Sequence, residues 1–157
     1  MAWKGLAAFS TPWICKEAAH FILLRSDEPL GSATAPGMLQ ILAHELTHAI
    51  TGAVPLKGEC KDYIWIREAT ATWGEHWVYP NAQSEHGRAQ EFYMEKRRSL
   101  DKINGDTDLY SYGSYLFPLY LMLNGQRQAI PAMWRQFRNH DTRRHRCGTE
   151  SARHESR

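Results

Sequence analysis

Apolar side chains recur at Met38, Ile41, Leu42, Ala49 and Ile50, the spacing of one face of a 3.6-residue helix. The pattern predicts a helix that starts behind Thr34 as N-cap, holds Pro36 in its first turn and stops at Gly52. Upstream, the short apolar run 19–25, AHFILLR, predicts a buried strand. Residues 26–37 are dense in Pro, Gly, Ser and Ala and predict a loop. Downstream, 53–61 predicts a loop, and Asp62 an N-cap for a second helix that runs to about Val78, with Pro80 beyond its end. A third helix is predicted over 84–103, with Ala89, Phe92, Leu100 and Ile103 on its apolar face. NGDTD, 104–108, predicts a turn. Residues 112–124 predict a buried helix rich in Tyr and Leu, bent at Pro118 and ended by Gly125. A last helix is predicted over 131–139. The class expected is α+β and mostly helical, with a short N-terminal sheet.

Composition narrows this only a little. The 157 residues fit one domain with a real core. At 43% hydrophobic and 23% charged, the chain reads as globular. A formal net charge of +2 is too small to point to nucleic acid. The charge is uneven: from Trp134 the last 24 residues hold seven Arg against three acids. Beyond Asn139 apolar residues almost vanish, so 1–139 is expected to be the domain and 140–157 a basic, disordered tail. No apolar run approaches the roughly 20 residues that span a bilayer, so no membrane partner is expected. Ser10, Thr11 and Pro12 interrupt the N-terminal apolar patch, which is not read as a signal peptide. Cys15, Cys60 and Cys147 lack metal-binding spacing and predict free thiols or at most one disulfide.

The chemistry lies in AHELTHA. His44 and His48 are four apart, so on a helix both rings point the same way. Two imidazoles one turn apart can reach one metal ion at about 2.0–2.1 Å. Glu45 lies about 100° around the helix, where it can flank the ion and take a proton from water without ligating. On this pattern the apolar residues seat the helix in the core and the polar three face a metal in a surface cleft. A catalytic zinc wants a third protein ligand and an open position. The arrangement HExxHxxGxxH fails, because Thr51 and Val54 stand where Gly and His are needed. Glu68 in WIREATATW, nineteen residues beyond His48, is the candidate, since its neighbours are apolar and a carboxylate buried there needs a partner. Glu75 shares its face two turns on, where it could stand behind a ligand, but a solvated acid is the preferred reading. His20 and His86 have no partner in sequence.

HELTHAIT followed by WIREATATW resembles the gluzincin zinc metallopeptidases, the group of thermolysin-like endopeptidases and leucyl-aminopeptidase-like enzymes. The resemblance covers about residues 41–74. It implies a zincin-like catalytic domain, with His44, His48 and Glu68 as ligands of Zn2+ and Glu45 as general base. It also implies a tyrosine that stabilises the oxyanion. Tyr110, three residues before Gly113, takes that place, with Tyr112 a near alternative. The implied function is zinc-dependent hydrolysis of peptide bonds in a peptide or protein substrate. The alternative is an inactive zinc-binding domain that acts as a binding module. Secretion or a periplasmic location is common in the family. The chain departs from the pattern at Arg67, where Asn is frequent, and at Thr72, where thermolysin-like enzymes hold a ligand His with Asp. The Thr72 hydroxyl is expected to accept that imidazole N–H more weakly. The aminopeptidase GxMEN segment is absent, and little more than forty residues precede the motif. The chain therefore reads as a minimal or N-terminally truncated catalytic domain without support for aminopeptidase specificity.

Overall fold

A computed structural model describes residues 8–11, 21–24, 35–58, 60–95, 98–102 and 109–138. Helices dominate them: α1 (Ala35–Gly52), α2 (Ile64–Val78), α3 (His86–Met94), α4 (Leu109–Gly113), α5 (Leu116–Leu123) and α6 (Ala129–Phe137). Two four-residue segments, β1 (Ala8–Thr11) and β2 (Phe21–Leu24), pair antiparallel with Ala8 opposite Leu24 and pack against α1. Among the described residues this pair is the whole of the sheet. The expected cap Thr34, the turn 104–108 and the tail 140–157 lie outside the described residues. No helix among the described residues is long and apolar enough to cross a membrane.

Helix α1 ends at Gly52, where the pattern placed its stop, and its most deeply buried stripe is polar rather than apolar. Its buried stripe is Gln40, Ala43, His44, Glu45, His48 and Thr51, while Leu39, Leu46 and Ile50 are exposed, Ile50 at 64%. Of the expected apolar seat, Ile41, Leu42 and Ala49 are half-buried and Ile50 is exposed. The helix borders an open apolar groove of about 750 Å³ shared with Trp73, Trp77 and Pro131. A polar stripe can face inward only if its groups find partners there, so the inward turn of α1 is set by the chemistry of its polar residues.

The core proper lies beside α2. Leu56, Ile66, Ile130 and Trp134 are buried together, with Tyr63, Trp65 and Phe137 packed around them. Leu56 bridges to Arg138, and the Lys57 N–H donates to the Phe137 carbonyl at 2.9 Å, which draws the α1–α2 loop onto the end of α6. The Trp134 indole N–H donates to Thr70 Oγ1 at 3.3 Å across the same core. A 3-10 turn, Cys60–Tyr63, leads into α2. The N-cap position is therefore Tyr63 rather than the expected Asp62, and no side chain caps it.

Two expected helices are shorter or broken. Helix α3 ends at Met94, and Glu95 leaves helical geometry at φ −98°, ψ 42°. The sequence beyond it, EKRRS, has no apolar face to bury, and the Arg98 carbonyl accepts the Tyr110 hydroxyl at 2.8 Å rather than a helical N–H. The helix expected over 112–124 divides into α4 and α5 at Ser114–Tyr115. The break sits four and three residues ahead of Pro118 because proline has no N–H for the Ser114 carbonyl, which accepts the Phe117 N–H at 3.0 Å instead. Pro118 then occupies the first turn of α5, a position that suits it. Helix α6 likewise starts two residues ahead of Pro131.

Helix α4 lies tightly on α3. A Cβ at Gly113 would stand 2.5 Å from the Arg88 carbonyl oxygen and 2.8 Å from Phe92 Cβ. The backbone of α3 cannot give way as a side-chain tip can. Gly113→Ala is expected to destabilise the fold by about 1–3 kcal/mol, read as a lowered urea midpoint at unchanged slope.

Candidate metal centre

Helix α1 sets His44 and His48 one turn apart, and α2 returns Glu68 opposite them. His48 Nε2 lies 3.0 Å from His44 Nε2. Glu68 Oε2 lies 3.3 Å from His44 Nε2 and 3.4 Å from His48 Nε2. The three atoms thus form a nearly regular triangle between two helices, with both imidazoles buried. A tetrahedral ion with bonds of about 2.0–2.1 Å spaces its ligand atoms about 3.3–3.4 Å apart, so the triangle fits one face of such a site. Glu68 Oε2 is buried and has no hydrogen-bond partner of sound geometry among the described residues, as an atom reserved for an ion would be. Two nitrogens and one carboxylate oxygen suit Zn2+ better than Mg2+ or Ca2+.

The close approach of the helices has a local cause. A Cβ at Gly74 would stand 2.3 Å from Thr47 Oγ1 and 3.2 Å from Thr47 Cβ. Thr47 lies between the two histidines on α1 and cannot swing aside, because its hydroxyl donates to the Ala43 carbonyl at 2.7 Å. Only glycine lets α2 come this near.

Glu75 corrects the expectation that it is a solvated acid. It is 1% exposed, and its Oε1 accepts from His44 Nδ1 at 2.7 Å. Arg88 Nη1 donates to the same oxygen at 2.5 Å. This carboxylate fixes the His44 ring and directs Nε2 at the centre, as the carboxylate–imidazole pairs of metal sites do. Thr72 does not take that role: its hydroxyl accepts from Arg88 Nη1 at 3.3 Å. The seven-residue spacing from Glu68 was the sequence signal for Glu75. No local signal marked Arg88, which comes from another helix. His48 has no equivalent support, since its buried Nδ1 has no partner among the described residues.

The tyrosines are placed unequally. Tyr110, the expected oxyanion donor, is 3% exposed, stacks on Phe92 with centroids 5.1 Å apart and gives its hydroxyl to the Arg98 carbonyl. It packs, and the structure does not bring it to the histidines. Tyr112 does reach them: its ring stacks on His44 at 5.7 Å and 16°, and the Arg88 guanidinium lies 5.3 Å from its centroid. Burial, with the charges of Glu68 and Glu45, raises the pKa of the Tyr112 hydroxyl against the opposing Arg88. It therefore stays a proton donor. Glu45 is buried beside this group at 9% exposure.

Burial lowers the His44 pKa, but the Glu68 and Glu75 carboxylates outweigh it and raise the imidazole to about 9. Burial raises the Glu68 pKa, and the two imidazoles outweigh it and hold the carboxyl well below its ordinary range. In the metal-free protein a proton on His44 Nε2 stands where a cation would bind, pointing at His48 and Glu68. A metal must displace it. Zinc affinity is therefore expected to climb roughly tenfold per pH unit below about pH 9, the His44 value, and then level off. Chelator competition across pH measures this. Glu75→Gln is expected to weaken zinc binding about 10–100-fold in the same assay.

No protein-family model, curated protein or solved structure matches the chain. The arrangement of the residues themselves therefore carries the functional reading.

Proposed function

We propose that this chain is a zincin-like, zinc-dependent peptide hydrolase. The observation that supports it most is the convergence of His44 Nε2, His48 Nε2 and Glu68 Oε2 within 3.0–3.4 Å, with Glu45 on the same helix. Zinc, when bound, acidifies water at its open position and polarises a carbonyl. Glu45 accepts the proton of the attacking water and delivers it to the departing amine nitrogen as the C–N bond breaks. Tyr112, which lies against His44, donates its O–H to the oxygen that gains negative charge. Glu75 holds His44, and Arg88 holds Glu75. The carboxylate neighbour of His44 thereby keeps its orientation while charge moves at the centre.

Glu45 also separates this reading from that of an inactive zinc-binding module, because zinc retention alone does not need it. Glu45→Gln is expected to keep its zinc and to lose peptide hydrolysis by orders of magnitude, read with blocked and unblocked peptides in parallel. Equal turnover by the variant and the wild type would remove Glu45 from the mechanism. Tyr112→Phe is expected to lower kcat about 10²–10³-fold with little change in KM. Tyr110→Phe is expected to lower thermal stability and to leave kcat of the folded protein close to wild type.

A further inference from the structure

A second group of metal-binding side chains lies where α2 hands over to α3. His76 stands on the last turn of α2, Glu85 at the N-cap position of α3, and His86 is the first residue of α3. Each offers a ligand atom within 4.8 Å of the other two. Glu85 Oε1 lies 2.6 Å from His76 Nδ1 and 3.6 Å from His86 Nε2.

Glu85 is the uncommon member. Its side chain is 0% exposed, and among the described residues its ion-pair partners are these two imidazoles alone. Its second oxygen, Oε2, is buried with no hydrogen-bond partner among the described residues. The Tyr115 hydroxyl, also fully buried and close enough to feel the charge of Glu85, has no partner among them either. A carboxylate withdrawn from water and half-unbonded is costly unless a cation completes it. Glu75 meets that need with Arg88; Glu85 has no arginine or lysine in this role among the described residues. The site is also reachable, because His86 keeps 47% of its side chain exposed, which leaves an open side for the ion and for water.

From the buried, half-satisfied Glu85 and the two imidazoles beside it, we infer a second divalent-metal site of the zinc class at His76, Glu85 and His86. Two imidazoles and a carboxylate are a donor set for Zn2+ rather than for a hard cation. Its role is to brace α3. The Arg88 N–H donates to the Glu85 carbonyl at 2.9 Å, and the Arg88 side chain holds Glu75 and Thr72. An ion at Glu85 therefore fixes the start of the helix that supports His44. The site does not depend on the first centre being catalytic.

The test counts zinc. The full chain is stripped with chelator, dialysed against zinc with a weak competing chelator, and assayed for bound zinc per chain by atomic emission. Wild type is expected to hold one equivalent more than His86→Ala, a change at an exposed side chain whose folding circular dichroism checks. Glu85→Gln is expected to lose the same equivalent, and Glu68→Gln to lose a different one. The stabilisation that added zinc confers on Glu68→Gln is expected to vanish in the Glu68→Gln, His86→Ala double variant. The same zinc count in wild type and His86→Ala would overturn the second site, whatever Glu68→Gln does. A loss in His86→Ala with none in Glu68→Gln would uphold it and remove the first centre instead.

Discussion

A carboxylate sealed from water must be paired, and Glu75 is paired twice on one oxygen, with His44 and with Arg88. Much else follows from that. Arg88 reaches α2 from α3, which itself packs on α4. Gly113 lets α4 close over the Arg88 backbone, and α4 in turn brings Tyr112 over both His44 and Arg88. One buried charge thus ties three helices to a single imidazole. The arrangement also explains why α1 turns a polar stripe inward. His44 has carboxylates on both sides, from Glu75 and Glu68, and these interactions offset the loss of hydration that would otherwise push the stripe to the surface.

The periodic features of the sequence carried far. The reach of α1 to Gly52, the end of α2 at Val78 and the shared face of His44 and His48 follow from local spacing, which a helix converts directly into geometry. Glu68 was legible because an acid among Trp65, Ile66, Ala69 and Trp73 has few reasons to be there. What failed depended on contacts between segments distant in sequence. The burial of Glu75 is decided by Arg88, thirteen residues on. Tyr110 and Tyr112 differ by two positions, about 200° around a helix, and only the packing of α4 says which of them meets the histidines. The exposure of Ile50 was missed for a related reason: hydrophobic periodicity finds a stripe but does not say how much of it the neighbouring elements cover. The division at Ser114–Tyr115 was half-visible, since Pro118 announced a disruption whose position is set by the carbonyl it leaves unbonded.

The two His–Glu–His groups are built from the same donors by different means. In the first, the histidines share one helix and the carboxylate comes from its neighbour, so the site depends on the packing of α1 against α2. In the second, one histidine closes α2 while the carboxylate and the other histidine open α3, so the site depends on a short return of the chain. That return uses Gln83 at φ 55°, a left-handed position rarely taken by a residue with a side chain. His86, without any partner in the linear sequence, gains one through that turn.

Gly74 has a bearing on how such sites are recognised at all. It contributes no atom to the candidate metal centre and belongs to no ligand pattern, yet the distance between α1 and α2 at the level of the histidines rests on its missing side chain. A chain could keep HELTH and the downstream Glu unchanged, carry a larger residue at this point, and spell a site it cannot assemble. The motif is thus a statement about donors, whereas the centre is a statement about separation. In this protein the second is written in a residue that a search for the first would pass over.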